Sequence, residues 1–241
     1  MIPIRDINPT RRFPLVTVGL IVINFLVFLY ELSLNDPALN QLIMSAGVIP
    51  YQVTNEFGLD VARDFMTAMF LHGGWMHLLS NMLYLWIFGN NVEDRLGRGR
   101  FTLFYLICGI LASLAQTLAV SNSPRPTIGA SGAIAGVLGA YLVLYPDTRV
   151  QSLVFVFYFV RLIEIPAVIV LGMWFVLQFF NGLASLGVPD MGGVAYFAHI
   201  GGFLAGVALI YLFKVGTNTG PPRPQMRQRN IFEDEFPNRW R

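Results

Sequence analysis

Long runs of nearly uncharged residues alternate with polar breaks along the chain. Six of these runs read as membrane-crossing helices: Pro14 to Leu32, Trp75 to Gly89, Phe101 to Val120, Ile128 to Tyr145, Pro166 to Phe180 and Val194 to Phe213. A helix needs ~20 residues to cross a bilayer unaided. The second, fourth and fifth runs fall short of that, so they are expected to extend into their flanks or to begin below the surface. A seventh apolar run, Val150 to Val160, is bounded by Arg149 and Arg161 and is too short to cross. Its aromatic and β-branched content fits an interfacial or hairpin segment. Pro166 then suits the first turn of the fifth helix. No Ala-x-Ala-like site follows the first run, which therefore reads as a retained anchor rather than a cleaved signal peptide.

The intervals complete the organisation. Ser33 to Gly74 is long for pure loop and contains apolar stretches, Leu42 to Met44 and Phe65 to Leu71, so it is expected to fold against the membrane surface. Residues 216–241, with Pro221, Pro222, Pro224 and mixed charges, read as a disordered tail. The expectation is an all-α polytopic membrane protein: a short N-terminal segment (1–13), a six-helix bundle (14–215) and the tail.

Composition agrees. Only 12% of residues are charged and 55% are hydrophobic, whereas a soluble domain carries about 25% charged residues. The net charge of +2 gives no reason to expect a nucleic-acid partner. Placement of Lys and Arg is more informative. Arg5, Arg11 and Arg12 precede the first span, Arg95, Arg98 and Arg100 follow the second, and Lys214 with five arginines follows the sixth. The alternate loops hold only Arg63 and Arg125. Both termini are thus expected on the cytoplasmic side. Cys108, the single cysteine, excludes an internal disulfide and a cysteine-based zinc site.

With that topology, spans two, four and six run inward from the outer face, and each carries polar groups in its first turns. Span two has His77 and Asn81, four apart and so on one helix face. Span four has Ser131 within Gly129-Ala130-Ser131-Gly132, and span six has His199 within Ala198-His199-Ile200-Gly201-Gly202. At about 1.5 Å per residue these positions share one depth, roughly 5–10 Å below the surface. Polar groups buried in a membrane face the bundle interior and mark a working site. Serine alone would mean little, because membrane helices tolerate it. The combination on three parallel helices carries the weight. Gly132 with Gly136, and Gly202 with Gly206, repeat at the small-xxx-small spacing that lets backbones approach closely. A serine–imidazole hydrogen bond, about 2.6–3.2 Å long, requires that approach.

At these residues the sequence resembles the rhomboid family of intramembrane serine proteases. His72-Gly-Gly-Trp-Met-His77-Leu-Leu-Ser-Asn81, Gly129-Ala-Ser131-Gly132 and Ala198-His199-Ile-Gly-Gly202 carry the resemblance, over about residues 45 to 210. The stretch Gly89-Asn-Asn-Val-Glu-Asp-Arg-Leu-Gly97 is similar to bacterial-type members. Two positions depart from the family pattern. Ala62-Arg63-Asp64-Phe65 stands where many members have a Trp-Arg pair, and Ala135 stands where some place a tyrosine to stack on the histidine.

The resemblance implies peptide hydrolysis within the membrane, without metal or cofactor. Ser131 would be the nucleophile, His199 the base, and His77, Asn81 and the Ser131 N–H the oxyanion donors. Gly129 would line the site, and His72, just above the span, would either line it or stand at the surface as an ordinary histidine. Spans two, four and six contain no acidic residue, so packing and hydrogen bonds must orient His199, with Tyr196 or Phe197 as candidates. The implied partners are single-pass transmembrane substrates and the lipid bilayer, in a bacterial-type plasma (inner) membrane. The loop Ser121 to Thr127 and the long outer loop would form the rim of a water-filled cavity.

The alternative within the family is an inactive protein that binds transmembrane helices; the presence of both Ser131 and His199 weighs against it. A zinc protease is disfavoured by the absence of His-Glu-x-x-His and a total of three histidines. A transporter or channel is disfavoured by the lack of charged residues inside spans two, four and six.

Overall fold

The computed structural model describes residues 1–156, 159–186 and 193–217. Its core is a bundle of α-helices. Helix α1 (Leu15–Ser33) is followed by three short helices, α2 (Asp36–Ala46), α3 (Pro50–Asn55) and α4 (Leu59–Thr67), then a 3-10 turn, Ala68–Phe70. Helix α5 (Trp75–Tyr84) runs through a π turn, Leu85–Gly89, into α6 (Asn90–Leu96). Then come α7 (Arg98–Ala119), α8 (Ser131–Leu144), α9 (Ala167–Ser185) and α10 (Tyr196–Phe213).

Among the described residues, α1, α7, α9 and α10 are each long and apolar enough to cross a membrane. Helix α8 is apolar but has only 14 residues. The second and fourth runs therefore differ from uniform spans. The second contains the π turn and is lengthened by α6, as its shortness led one to expect. The fourth begins at Ser131 rather than Ile128, because Gly129 takes a φ of 120° that a helix cannot contain. The fifth extends to Ser185, and Pro166 stands just before its first turn. The interval 33–74 is mostly helical rather than loop, and the tail expected over 216–241 lies almost wholly outside the described residues.

The all-α expectation also needs correcting. The run at 150–160 belongs to a hairpin of β2 (Arg149–Val156) and β3 (Phe159–Pro166), and β1 (Ile2–Asp6) pairs antiparallel with β2. A hairpin alone is marginal; a third strand satisfies one of its open edges.

Why α8 sits at the centre is plain from its surface. Every residue from Gly132 to Tyr141 is buried, on all sides of the helix. Its closest neighbours are α10 and α7. In lipid no hydrophobic drive separates one apolar face from another, so close contact decides packing. A Cβ at Gly202 would strike the backbone carbonyl of Gly132, and one at Gly206 would strike that of Gly136. Gly136 lies against Cys108 of α7, and Gly132 against Ala112. The expected glycine rows are thus real contacts, joined by Gly139 against Phe203 and Gly201 against Ala115. In contrast, α9 turns Met173, Val176, Leu177 and Phe180 outward, as a lipid-facing helix does.

Carboxylates fasten the helix ends. Helix α1 has no capping side chain of its own, and Glu93 of α6 takes that part. Its carboxylate accepts from Val16 N (3.0 Å), Thr17 N (2.7 Å) and Thr17 Oγ1 (2.8 Å). Asp94 accepts from the backbone of Arg11 and Arg12. On β1, Asp6 accepts from Tyr141 Oη and Asn91 Nδ2, both at 2.7 Å, tying the sheet to the end of α8 remote from Ser131.

Two expected outcomes follow from this packing. Gly206→Ala should destabilise the protein by about 1–3 kcal/mol, the usual range for overpacking. Gly19→Ala, whose Cβ would meet nothing within 4 Å, should be neutral or stabilising by up to about 1 kcal/mol; thermal unfolding in detergent compares the two. Burial raises the Asp6 carboxyl from 3.8 to about 6, against the opposing pull of the Tyr141 hydrogen bond. A docked strand then holds the proton more tightly than a detached one. Docking is favoured fully below about pH 4, and that advantage is lost as pH rises through about 6. Amide exchange in β1, corrected for intrinsic rates, should show this loss of protection, and Asp6→Asn should remove the pH dependence.

Candidate active site

The sequence brings four polar groups to the first turns of three helices, and the structure gathers all of them. Helices α5, α8 and α10 begin at the same end of the bundle. Ser131 opens α8, and His199 lies in the first turn of α10, one turn above the Gly202 contact with Gly132. The Ser131 Oγ to His199 Nε2 distance is 2.8 Å, and the bond is only partly buried.

The protonation pattern of His199 follows from its other nitrogen. Nδ1 is 2.8 Å from Gln178 Oε1 of α9. A carbonyl oxygen can only accept, so Nδ1 carries the proton and Nε2 presents its lone pair to the serine hydroxyl. Trp174, one turn earlier on α9, lies against the imidazole with ring centroids 5.7 Å apart and planes inclined by 36°. The expectation that Tyr196 or Phe197 would orient the base is therefore replaced. Those two side chains approach α9 at Gly182 instead. Neither Gln178 nor Trp174 was found from the sequence, although an amide inside an apolar span was a signal that it must have a polar partner.

Opposite this pair stands a second group of donors. The Gly73 N–H donates to His77 Nδ1 (3.3 Å), which leaves the His77 proton on Nε2. That nitrogen crowds Gly129: a Cβ there would lie 2.7 Å from His77 Nε2 and 3.8 Å from Asn81 Nδ2. Asn81 Nδ2 is buried and has no hydrogen-bond partner, an expensive condition for a donor unless a reacting group uses it. Gly129 is held in place by its own N–H, which donates to Ala68 O (2.8 Å). Backbone N–H groups of the first turn of α8 have no acceptor within the helix and add positive potential beside Ser131. Beside Ser131 and Gly129 a cavity leaves about 10 Å³ for a water centre, roughly one molecule.

His72 is placed behind this group, its ring edge-on to His77 at 5.0 Å. Its backbone N–H donates to the buried Glu31 carboxylate of α1 (3.1 Å), and its Nδ1–H to Phe70 O (3.2 Å). Burial, with a smaller contribution from His77, lowers its pKa to about 4, so it is neutral at physiological pH. The two loops expected at the rim are joined to one another. Val48 and Thr127 exchange backbone hydrogen bonds, and Tyr51 N donates to Ser123 O. Arg63, at the departing position, pairs with Asp64 at 2.9 Å and donates to Ser45 O at 2.7 Å. Among the described residues no group of histidine, cysteine or acidic side chains is arranged to hold a metal.

A hydroxyl hydrogen-bonded to a neutral imidazole, facing clustered donors, is an arrangement suited to nucleophilic attack on a carbonyl. Comparison with known proteins points the same way. Residues 60–215 match the Rhomboid domain. The chain is 38% identical over 146 residues to the Bacillus subtilis rhomboid protease GluP, covering 60% of this chain and 25% of that protein. It is 31% identical over 160 residues to the Arabidopsis thaliana RHOMBOID-like protein 5, covering 66% and 47%. It is 34% identical over 157 residues to the Saccharomyces cerevisiae mitochondrial rhomboid protein 1, covering 60% and 42%. The matches thus span a quarter to about half the length of these relatives. With that domain match over most of its helical bundle, the chain belongs to the rhomboid family and is an integral multi-pass membrane protein.

Proposed function

We propose that this protein is an intramembrane serine endopeptidase that cleaves transmembrane protein substrates near the outer membrane face. The 2.8 Å bond between Ser131 and His199 is the observation that carries this reading. Ser131 Oγ attacks the scissile carbonyl carbon while its proton passes to His199 Nε2. The tetrahedral oxyanion is held by Asn81 Nδ2, His77 Nε2 and the Ser131 N–H. His199 then protonates the departing amine, leaving an ester on Ser131. Water, activated by the same imidazole, releases the acid and restores the serine.

The proposed topology has six crossings, with α5–α6 and α8 completing the four long helices, and both termini in the cytoplasm. The placement of arginines supports this orientation. In this orientation the site would open toward the outer face, and the membrane in this reading is a bacterial-type plasma membrane. A substrate helix hides its carbonyls in internal hydrogen bonds, so the preferred substrates are single-pass segments that unwind readily at Gly or Pro near that face. No cofactor takes part.

The purified protein should cleave a model single-pass substrate in detergent, and Ser131→Ala and His199→Ala should each abolish cleavage. Persistent cleavage by Ser131→Ala would sink the mechanism. Asn81→Ala should retain the dyad yet lose about 10²–10³ in kcat, as is usual for one oxyanion donor. An unchanged kcat in that variant would remove Asn81 from the reacting centre.

A further inference from the structure

Neutral imidazole has one N–H, and its position decides whether His199 can be a base. A proton on Nε2 would point at Ser131 and leave no lone pair to receive the serine proton. Something must therefore select the other tautomer. Helix α10 offers nothing of the kind, and the position on α8 where some relatives place a stacking ring holds the buried Ala135.

The selecting groups come from α9. Trp174 and Gln178 are four residues apart and so lie on one face of that helix. The opposite side of the helix carries Val176 and Phe180, which are exposed. A half-buried glutamine amide within a mostly apolar membrane helix needs a partner, and Gln178 finds it at His199 Nδ1, 2.8 Å away. Trp174 covers the ring and is itself packed on Phe203 of α10, with centroids 6.1 Å apart.

We propose that Gln178 is a positioning residue for the reaction: its Oε1 accepts from Nδ1–H and so keeps the Nε2 lone pair of His199 on Ser131, while Trp174 sets the plane of the ring. The assignment rests on reading Ser131 and His199 as the catalytic dyad. It also makes activity depend on α9 lying against α10, because the base is held by a helix to which it does not belong.

Three histidines in the chain make the tautomer directly measurable by ¹⁵N NMR of histidine-labelled protein, with the His199 signals identified by their loss in His199→Ala. Wild type should show His199 protonated on Nδ1. Gln178→Leu should shift it toward the Nε2–H form and lower kcat about tenfold or more, while KM changes by less than about twofold. Gln178→Glu, which keeps an acceptor at the same place, should retain the Nδ1–H tautomer and recover activity relative to the leucine variant. Unchanged kcat and unchanged tautomer in Gln178→Leu would overturn the proposal. So would a glutamate variant that unfolds at the wild-type temperature in detergent yet is less active than the leucine variant, because an acceptor at that place would then be of no use to the base. Absence of cleavage by wild type would count against the protease reading instead, and the tautomer of His199 with and without Gln178 would still decide the role of the amide.

Discussion

Contact between the backbones of α8 and α10 is the constraint on which the rest depends. Glycines 132 and 136 on one helix meet glycines 202 and 206 on the other, with carbonyl oxygens where side chains would ordinarily stand. In hydrocarbon the gain from such packing is mainly dispersion and excluded lipid, so it is sensitive to a single methyl group. Ser131 and His199 are written into the same register. Ser131 precedes the first glycine of its row by one residue, and His199 precedes its own by three. A helix separation set by glycine brings the hydroxyl and the imidazole within bonding distance without either side chain having to search for it.

Polar atoms do the joining where the bundle is less tightly packed, and most of them act on backbone. Glu93 caps the start of α1, Glu31 near its end receives the backbone of His72, and Ala68 receives that of Gly129. The chain between α1 and α5 is thereby made part of the site. Its last turn positions Gly129, and Gly129 is the residue against which His77 and Asn81 are set. A buried acid that accepts two or three N–H bonds is satisfied and rigid, which suits a region that must keep donors aligned toward one point.

Much of this was legible in the sequence, and what was not has a common cause. Ser131, His199, His77 and Asn81 could be found because they are polar residues at the same depth on helices of the same direction. The glycine rows could be found from their spacing. The β-sheet could not, since β1 is only five residues and pairs with a hairpin about 145 positions away. Its apolar hairpin was recognisable, its third strand was not. The helices between residues 36 and 67 are short and amphipathic, a weak signal beside the membrane runs. Gln178 and Trp174 are not legible because they lie on α9, away from the helices that carry Ser131 and His199. The partner of the His199 ring sits on a neighbouring helix, and only packing reveals which face of that helix looks inward.

That the group behind the histidine is an amide has an energetic meaning of its own. A carboxylate in that place would have to be stripped of water beside lipid, a cost of several kcal/mol for an isolated ion. It would ease that cost only during the brief life of the imidazolium. Glutamine carries no charge, so it adds none to the site, and the helices feel no repulsion or ion-pair attraction through it across the gap. Its dipole supports the imidazolium less strongly than an anion would. On the protease reading proposed above, a site built this way would trade part of the rate available to aqueous triads for stable assembly in a medium of low dielectric constant.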